Sequence, residues 1–124
     1  MKKILFISKS RLCHNLLQAV AALVPKKVEA VCVESVAEAL SLPRRGSAMD
    51  LVLVDWNALE EAKSGIREIG QFHDHRRLEG AARVLIHARG ASLWENELKE
   101  QNFSGFYAKP FLAEELAKII GDHL

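Results

Sequence analysis

The sequence predicts an α/β fold in which a five-stranded parallel sheet is covered by helices on both faces. Apolar runs of four to five residues alternate along the chain with longer segments whose apolar residues recur at helical period. Two of the helical segments are preceded by capping-box patterns, at Ser35–Glu38 and Ser92–Glu95. Strand and helix alternate strictly. Because crossovers between parallel strands are right-handed, this alternation favours a doubly wound sheet.

The first half of the chain holds two predicted strands and two predicted helices. The first strand is Ile4–Ile7, and a helix follows from about Ser10 to Val24, where Pro25 stops it. Val28–Val33 is the second strand. The box at Ser35 then opens a short second helix.

The second half begins with the most apolar strand. Leu51–Val54 shows no polar alternation, which is typical of a central strand buried on both faces. A helix is predicted from near Gly65 to His75. The fourth strand, the fourth helix, the fifth strand and the last helix are predicted at Arg83–Ile86, Ser92–Asn102, Gly105–Tyr107 and Leu112–Ile120. Gly121 is expected to end the last helix.

These elements predict one domain over residues 1–124, a flavodoxin-like (βα)5 sandwich with strand order 2-1-3-4-5. The chain has 49% hydrophobic and 27% charged residues, which is ordinary for a globular protein. Its formal net charge of +1 gives no general attraction to nucleic acid or anionic membrane, and we expect neither as a partner. The arginine pairs at 44–45 and 76–77 are interpreted as solvated loops.

The N-terminal segment and the lack of a long apolar run predict a cytoplasmic protein. The apolar run near the N-terminus ends at Ser8, so we expect no signal peptide. No segment approaches the roughly 18 apolar residues that would span a bilayer. Cys13 and Cys32 are expected to be reduced thiols, since two cysteines form neither a disulfide framework nor a zinc spacing.

Polar residues follow four of the predicted strands. Ser8 and Lys9 come after the first strand, Asp55 after the third, His87 after the fourth and Lys109 after the fifth. The carboxyl ends of parallel strands share one edge of a sheet, where doubly wound folds bind their ligands. We therefore expect these five side chains to converge on one site.

Two segments of this chain, Asp50–Asn57 and Ser104–Phe111, resemble the receiver domains of response regulators. By that resemblance Asp55 is the phosphoacceptor position and Lys109 is the conserved lysine. It also implies that the backbone carbonyl of Asn57 would be a metal ligand.

The same resemblance places His87 where receivers carry a hydroxyl residue, and Phe106 where they carry a switch aromatic. His87 is larger than a hydroxyl side chain, so we interpret it as part of the pocket wall, with a phospho-accepting histidine as the alternative. For Phe106 a working switch and a fixed aromatic both remain open. The loop from Ala58 to Gly65 also departs from the family, because it lacks the usual proline turn.

The main departure lies after the first strand, where receivers carry two acids and this chain has Ser8 and Lys9. Those acids help to hold the Mg²⁺ that neutralises charge during phosphoryl transfer. Asp55 stands here with two ammonium groups, those of Lys9 and Lys109. Two unit charges about 4 Å apart interact by about 4 kcal/mol at an effective dielectric constant near 20. We therefore predict that the Mg²⁺ site is lost, and we expect no other cofactor.

Two side-chain arrangements stay open or carry a competing interpretation. Lys9 either pairs with Asp55 or extends into solvent, where an exposed ion pair contributes little. The triplet His73–His75 could suggest a metal site, but residues at i and i+2 of a helix do not face each other. We interpret it as a solvated helix end.

The predicted function is that of a degenerate receiver, or pseudo-receiver, which is not an enzyme and signals by protein–protein contact. The expected contact face is formed by the fourth helix, the fifth strand and the fifth helix, around Trp94, Phe103, Phe106 and Tyr107. A histidine kinase or an effector domain is the expected kind of partner.

Two other functions are compatible with the sequence. The first is a working receiver phosphorylated on Asp55. The second is an enzyme with a small-molecule pocket beside Asp55, although no glycine-rich phosphate loop supports it. A phosphatase of the haloacid dehalogenase type would need an aspartate where Asn57 stands.

Overall fold

The computed structural model of the protein describes residues 2–24, 27–43, 45–58, 62–88, 95–109 and 112–124. The strands within these ranges are β1 (Lys2–Ile7), β2 (Val28–Val33), β3 (Leu51–Asp55), β4 (Ala82–His87) and β5 (Phe103–Ala108). The α-helices are α1 (Arg11–Ala21), α2 (Val36–Leu40), α3 (Ala62–Gly70), α4 (Glu95–Glu100) and α5 (Ala113–His123). Short 3-10 turns at Trp56–Ala58 and Gln71–Asp74 follow β3 and α3.

The five strands form a single parallel sheet with the order β2-β1-β3-β4-β5. This order confirms the predicted doubly wound, flavodoxin-like class. Each crossover carries a helix to one face or the other, and the order reverses between β1 and β3. The edge of the sheet at the carboxyl ends of these two central strands is where the polar residues lie.

Alternate side chains of β3 enter two separate apolar cores, one on each face of the sheet. Val52 and Val54 pack in the core beneath α2, α3 and α4. Leu51 and Leu53 pack in the core beneath α1 and α5. All four side chains are fully buried, so the prediction of a central strand covered on both faces is confirmed.

The helix starts follow the capping signals where these can be observed. Ser35 Oγ accepts a hydrogen bond from the backbone N–H of Glu38 at 3.1 Å, which confirms the predicted cap of α2. Ser92 and Pro25, to which a second cap and a helix stop were assigned, lie outside the described residues. The predicted third helix is shorter than expected, because the α-helix ends at Gly70 and a 3-10 turn continues the chain to Asp74.

Helix α5 is longer than predicted, since it passes through Gly121 and ends at His123. Tyr107 on β5 accounts for the difference. Its hydroxyl is hydrogen-bonded to His123 Nε2 at 2.8 Å, and the two rings meet edge to face. This contact holds the last turn of α5 against the sheet, so the glycine does not terminate the helix.

The interpretation of the His73–His75 triplet is wrong for His75, which is 1% exposed. One ring nitrogen, Nε2, lies 3.1 Å from the carbonyl of Leu42, and the other, Nδ1, accepts from the backbone N–H of Arg77. His73 and Asp74 are exposed, as expected. His75 is buried because the loop after α2 packs over its ring, with Leu42 as the hydrogen-bonding residue.

The described members of the arginine pairs lie in surface loops, as expected, although one of the side chains is hydrogen-bonded to the backbone. Arg45 and Arg76 are exposed, whereas the Arg77 guanidinium donates to the carbonyls of Ser47 and Pro43. Arg44 lies outside the described residues.

In the described part of the chain, no helix has the length and apolar character needed to cross a bilayer.

Candidate functional site

The ends of β1, β3, β4 and β5 bring the predicted site residues to one edge of the sheet. In the strand register Ile7 is paired with Val54, so Ser8 follows β1 directly beside the end of β3. Asp55 is the last residue of β3. His87 is paired with Ala108, which places Lys109 next to the end of β4. Sequence spacing alone supports this proximity, because parallel strands end at a common edge.

The carboxylate of Asp55 is the centre of the site and is 1% exposed. Its Oδ2 accepts hydrogen bonds from Ser8 Oγ at 3.0 Å and from Lys109 Nζ at 2.6 Å. Its Oδ1 accepts from the backbone N–H of Asn57 at 3.3 Å. A buried carboxylate needs such donors, and both of its oxygens have them.

Ser8 is fully buried and connects three parts of the site. Its backbone N–H donates to the carbonyl of Val33 on β2 at 3.0 Å. Its hydroxyl donates to Asp55 and accepts from the backbone N–H of Ser10 at 3.1 Å. The role of Ser10 was not anticipated, although a serine whose side chain caps the backbone two residues on is a known turn pattern.

Lys9 lies on the exposed rim, and it is the backbone of Lys9 that is hydrogen-bonded to the neighbouring loop. Its N–H donates to Asn57 Oδ1 at 3.2 Å. The ammonium of Lys109 contacts Asp55. The position of the Lys9 ammonium stays a prediction, with pairing to Asp55 and extension into solvent as its two alternatives. Asn57 joins the loops after β1 and β3 through its side chain as well as its backbone.

Lys109 forms an ion pair with Asp55. Its side chain is 30% exposed, so the ammonium bridges solvent and the buried carboxylate. The backbone N–H of Lys109 donates to the carbonyl of His87 at 2.7 Å, which fixes the start of the loop after β5. The lysine is thus held at both its backbone and its side chain.

His87 and Phe106 lie beside this network without being donors to Asp55. The His87 ring contacts the carbonyl of its neighbour Ala88, with Nδ1 at 3.0 Å, and is partly exposed. Phe106 is partly buried against the core beneath α2, α3 and α4, and its ring centroid lies 6.4 Å from that of Phe103. The roles predicted for these two residues stay predictions.

The donor chemistry of the site does not fit a magnesium ion. Mg²⁺ prefers carboxylate and water oxygens in octahedral geometry. Ser8 offers a hydroxyl whose proton is already donated to Asp55. Ser8 and Lys9 bring no negative charge to this edge, which leaves Asp55 as a single carboxylate already paired with Lys109.

The expected contact face is only partly as predicted. Phe103 is 5% exposed and packs in the core, so its assignment to an exposed aromatic surface is wrong. Phe106 and Tyr107 are partly exposed. Trp94 lies outside the described residues. Phe103 is buried because the strand begins two residues earlier than predicted and its side chain points under α4.

Two clefts in the described structure bear on the enzyme hypothesis, which needs a cavity beside Asp55. One of about 590 Å³ lies between α1, the end of β2 and α2, and includes His14 and Cys32. The other, of about 420 Å³, lies between β5 and α5 beside Tyr107. Asp55 lines neither of them.

The fold is shared with response regulators of known structure. The chain is similar to the chemotaxis response regulator CheY4 of Vibrio cholerae, with a TM-score of 0.80 at 18% identity over 100% of this chain and 99% of that one. A response regulator from Thermotoga maritima gives a TM-score of 0.79 at 15% identity, covering 99% and 97%. The phosphorylated cyanobacterial phytochrome response regulator RcpA gives 0.70 at 21%, covering 98% and 89%. No protein-family model and no curated protein sequence matches the chain.

Proposed function

We propose that this chain, which has the fold of response-regulator receiver domains, is an atypical receiver, or pseudo-receiver, of two-component signal transduction. In this proposal it acts by protein–protein contact, without Mg²⁺-dependent phosphorylation and without catalytic activity of its own. The similar solved structures support the general class. The mechanism is inferred from the residues that surround Asp55.

The observation that carries the proposal is the set of donors to Asp55. Phosphoryl transfer to a carboxylate requires an accessible oxygen and a cation that neutralises the charge of the incoming group. Asp55 is 1% exposed, and its Oδ2 is shared between Ser8 and Lys109. The residues that follow β1 add a hydroxyl and an ammonium where a metal site needs carboxylates. The carboxylate is therefore stabilised without metal and without a phosphoryl group.

The proposed contact face consists of α4, β5 and α5. Phe106 and Tyr107 are partly exposed there, and aromatic residues are favoured in the centres of interfaces. The cleft between β5 and α5 adds the charged side chains of Glu115, Lys118 and Asp122 around Ile119. A signalling partner, either a histidine kinase or an effector domain, would meet an aromatic centre with a charged rim.

The proposal is tested by incubating the protein with acetyl phosphate and Mg²⁺ and measuring its intact mass. We expect no adduct of about 80 Da, which is the mass that phosphorylation adds. The Asp55→Ala variant is the control for any adduct at other residues. An adduct that appears on the unmodified chain and is absent from the variant would contradict the proposal.

The alternative is a working receiver phosphorylated on Asp55 by a histidine kinase. One observation favours it: Lys109 Nζ lies 2.6 Å from Asp55 Oδ2, so the two positions that resemble the phosphoacceptor and the conserved lysine are in contact. In that function the lysine would pair with the phosphoryl group after transfer. The same mass measurement separates the two functions.

A further inference from the structure

The described part of helix α4 is short, and its carboxyl end is hydrogen-bonded to the sheet through Gln101. It spans six residues, Glu95–Glu100, which is too few for a stable isolated helix. Leu98 is its fully buried apolar residue in the described part. The chain leaves the helix at Asn102, whose φ of 64° lies in the left-handed region that commonly ends helices. Contacts from outside the helix must therefore fix its position.

One such contact comes from Arg83 on β4, which is 3% exposed. Its Nη1 donates to the carbonyl of Gln101 at 2.6 Å, directly after the last turn of α4. Its guanidinium also lies over the ring of Phe72, 5.5 Å from the centroid. Carbonyls at the carboxyl end of a helix carry partial negative charge, so a cation there is favourable.

No other charge balances this buried cation in the part of the chain that the structure describes. Among those residues no carboxylate lies within ion-pair distance of Arg83, and its Nε has no hydrogen-bond partner. Desolvation of the buried guanidinium lowers the pKa of Arg83. If α4 moved away, the guanidinium would lose its carbonyl acceptor while still excluded from water.

Helix α3 and strand β5 also lie close to the contact between Arg83 and Gln101. A side chain at Gly70 would bring its Cβ to 3.1 Å from Gln101 Oε1, so α3 approaches the end of α4 closely. The register between β4 and β5 shifts beside Arg83, and Ser104 Oγ in this bulge donates to the Arg83 carbonyl at 3.4 Å. Strand β5 is thereby hydrogen-bonded to Arg83 through the side chain of Ser104 as well.

We propose that Arg83 is the positioning residue of α4: it fixes the carboxyl end of the helix at Gln101, and displacement of α4 pivots there. The proposal rests on the proposed function in one respect, since α4 belongs to the contact face inferred above. The anchor would set the orientation in which this face meets a partner. It is not one of the residues around Asp55, and it requires no phosphorylation.

The test compares Arg83→Met with the unmodified chain by amide hydrogen exchange, followed by NMR. The change to Met keeps a side chain of similar length and removes the cost of keeping an unpaired charge away from water. We therefore expect an unchanged or higher midpoint of urea unfolding. The amides of Gln101 and Asn102, which close the last turn of α4, should exchange at least about tenfold faster.

Two further variants make the test specific. Arg83→Lys keeps a donor within reach of the Gln101 carbonyl, so its exchange should fall between the two extremes, and it serves if the Met variant does not fold. Tyr107→Phe removes a hydrogen bond from the same face at the end of α5 and should leave the α4 amides unchanged. Unaltered exchange at Gln101 and Asn102 in the Arg83 variants would overturn the proposal, as would a uniform increase that includes β1 and β3. No partner is used, so this result is independent of the proposed function.

Discussion

Ser8 donates a hydrogen bond from its hydroxyl to Asp55, with 3.0 Å between Oγ and Oδ2. Both side chains are buried, so this contact decides what the site can hold. A carboxylate at the position of Ser8 would place a second negative charge against Asp55 and would require a cation to balance it. The hydroxyl instead satisfies one lone pair of Asp55 and creates no demand for metal.

Restoring acids after β1 should create the missing cation site. We predict that Ser8→Asp combined with Lys9→Asp raises the affinity for Mg²⁺ by at least about a hundredfold, because repulsion is exchanged for attraction at short range. Without metal this variant should be less stable than the unmodified chain, and Mg²⁺ should raise its melting midpoint. Calorimetric titration and thermal unfolding with and without Mg²⁺ measure both effects.

The matched control for this experiment is the neutral pair Ser8→Asn and Lys9→Gln, which removes the ammonium without adding carboxylates. It should bind Mg²⁺ no better than the unmodified chain under the same conditions. Tight Mg²⁺ binding by the unmodified protein that is lost on Asp55→Asn would contradict the prediction that the Mg²⁺ site is lost in this chain.

The ion pair between Lys109 and Asp55 should be asymmetric in its contribution to stability. Lys109→Met leaves a buried carboxylate without its cation, and we expect a loss of about 1–3 kcal/mol in the free energy of unfolding, less than for a fully buried pair because Lys109 is 30% exposed. Asp55→Asn leaves only a partly solvated ammonium and should cost less. Urea unfolding of both single variants and of the double variant gives the coupling. Additive losses in the double variant would mean that the pair does not interact.

Substitution by alanine should have opposite effects on stability at two glycines in the carboxyl-terminal part of the chain. A Cβ at Gly105 would lie 2.8 Å from Tyr107 Cε2 and 3.0 Å from His123 Nε2, so Gly105→Ala should destabilise the fold by about 1–3 kcal/mol. A Cβ at Gly121 in helix α5 meets nothing within 4 Å, and Gly121→Ala should stabilise by about 0.5–1 kcal/mol. Thermal unfolding tests the pair. Equal effects would contradict the close packing of α5 on β5.

Cys32 should react slowly for a thiol. Burial raises its pKa above the ordinary value of 9.0, and the hydrogen bond from Gln18 Nε2 to the sulfur opposes this only in part. In the Cys13→Ser variant, which leaves one thiol, alkylation by iodoacetamide at pH 8 should be slower in the folded protein than in urea. A folded protein that reacts as fast as the unfolded chain would contradict the burial of this thiol.

The same shift predicts a direction for stability. The folded state retains the thiol proton to a higher pH than the unfolded state does, so stability should fall as the pH rises through the ordinary thiol range and should be unaffected below it. Comparing the pH profile of the unfolding free energy with that of Cys32→Ala isolates this contribution. The profile of the alanine variant should be flatter above pH 9.

Most of the fold could be predicted because its signals are local and periodic. The apolar run Leu51–Val54 is buried on both faces, as its lack of polar alternation indicated. The N-terminal cap of α2 at Ser35 could also be predicted, because its signal lies within four consecutive residues. The end of α5 could not be predicted, because a glycine stop was overridden by the contact between His123 and Tyr107, which are distant in sequence.

The candidate site could likewise be predicted from the sequence only in part. Order and alternation of the strands determined that Ser8, Asp55 and Lys109 would meet at one edge, since parallel strands end together. Only the tertiary structure shows that Lys109 Nζ lies 2.6 Å from Asp55 Oδ2, because that distance depends on how two segments 54 residues apart in the chain are held. It also decided that His75 and Arg83 are buried. A side chain is buried when residues far along the chain pack within a few ångströms of it, and no pattern in the neighbouring sequence reports those distances.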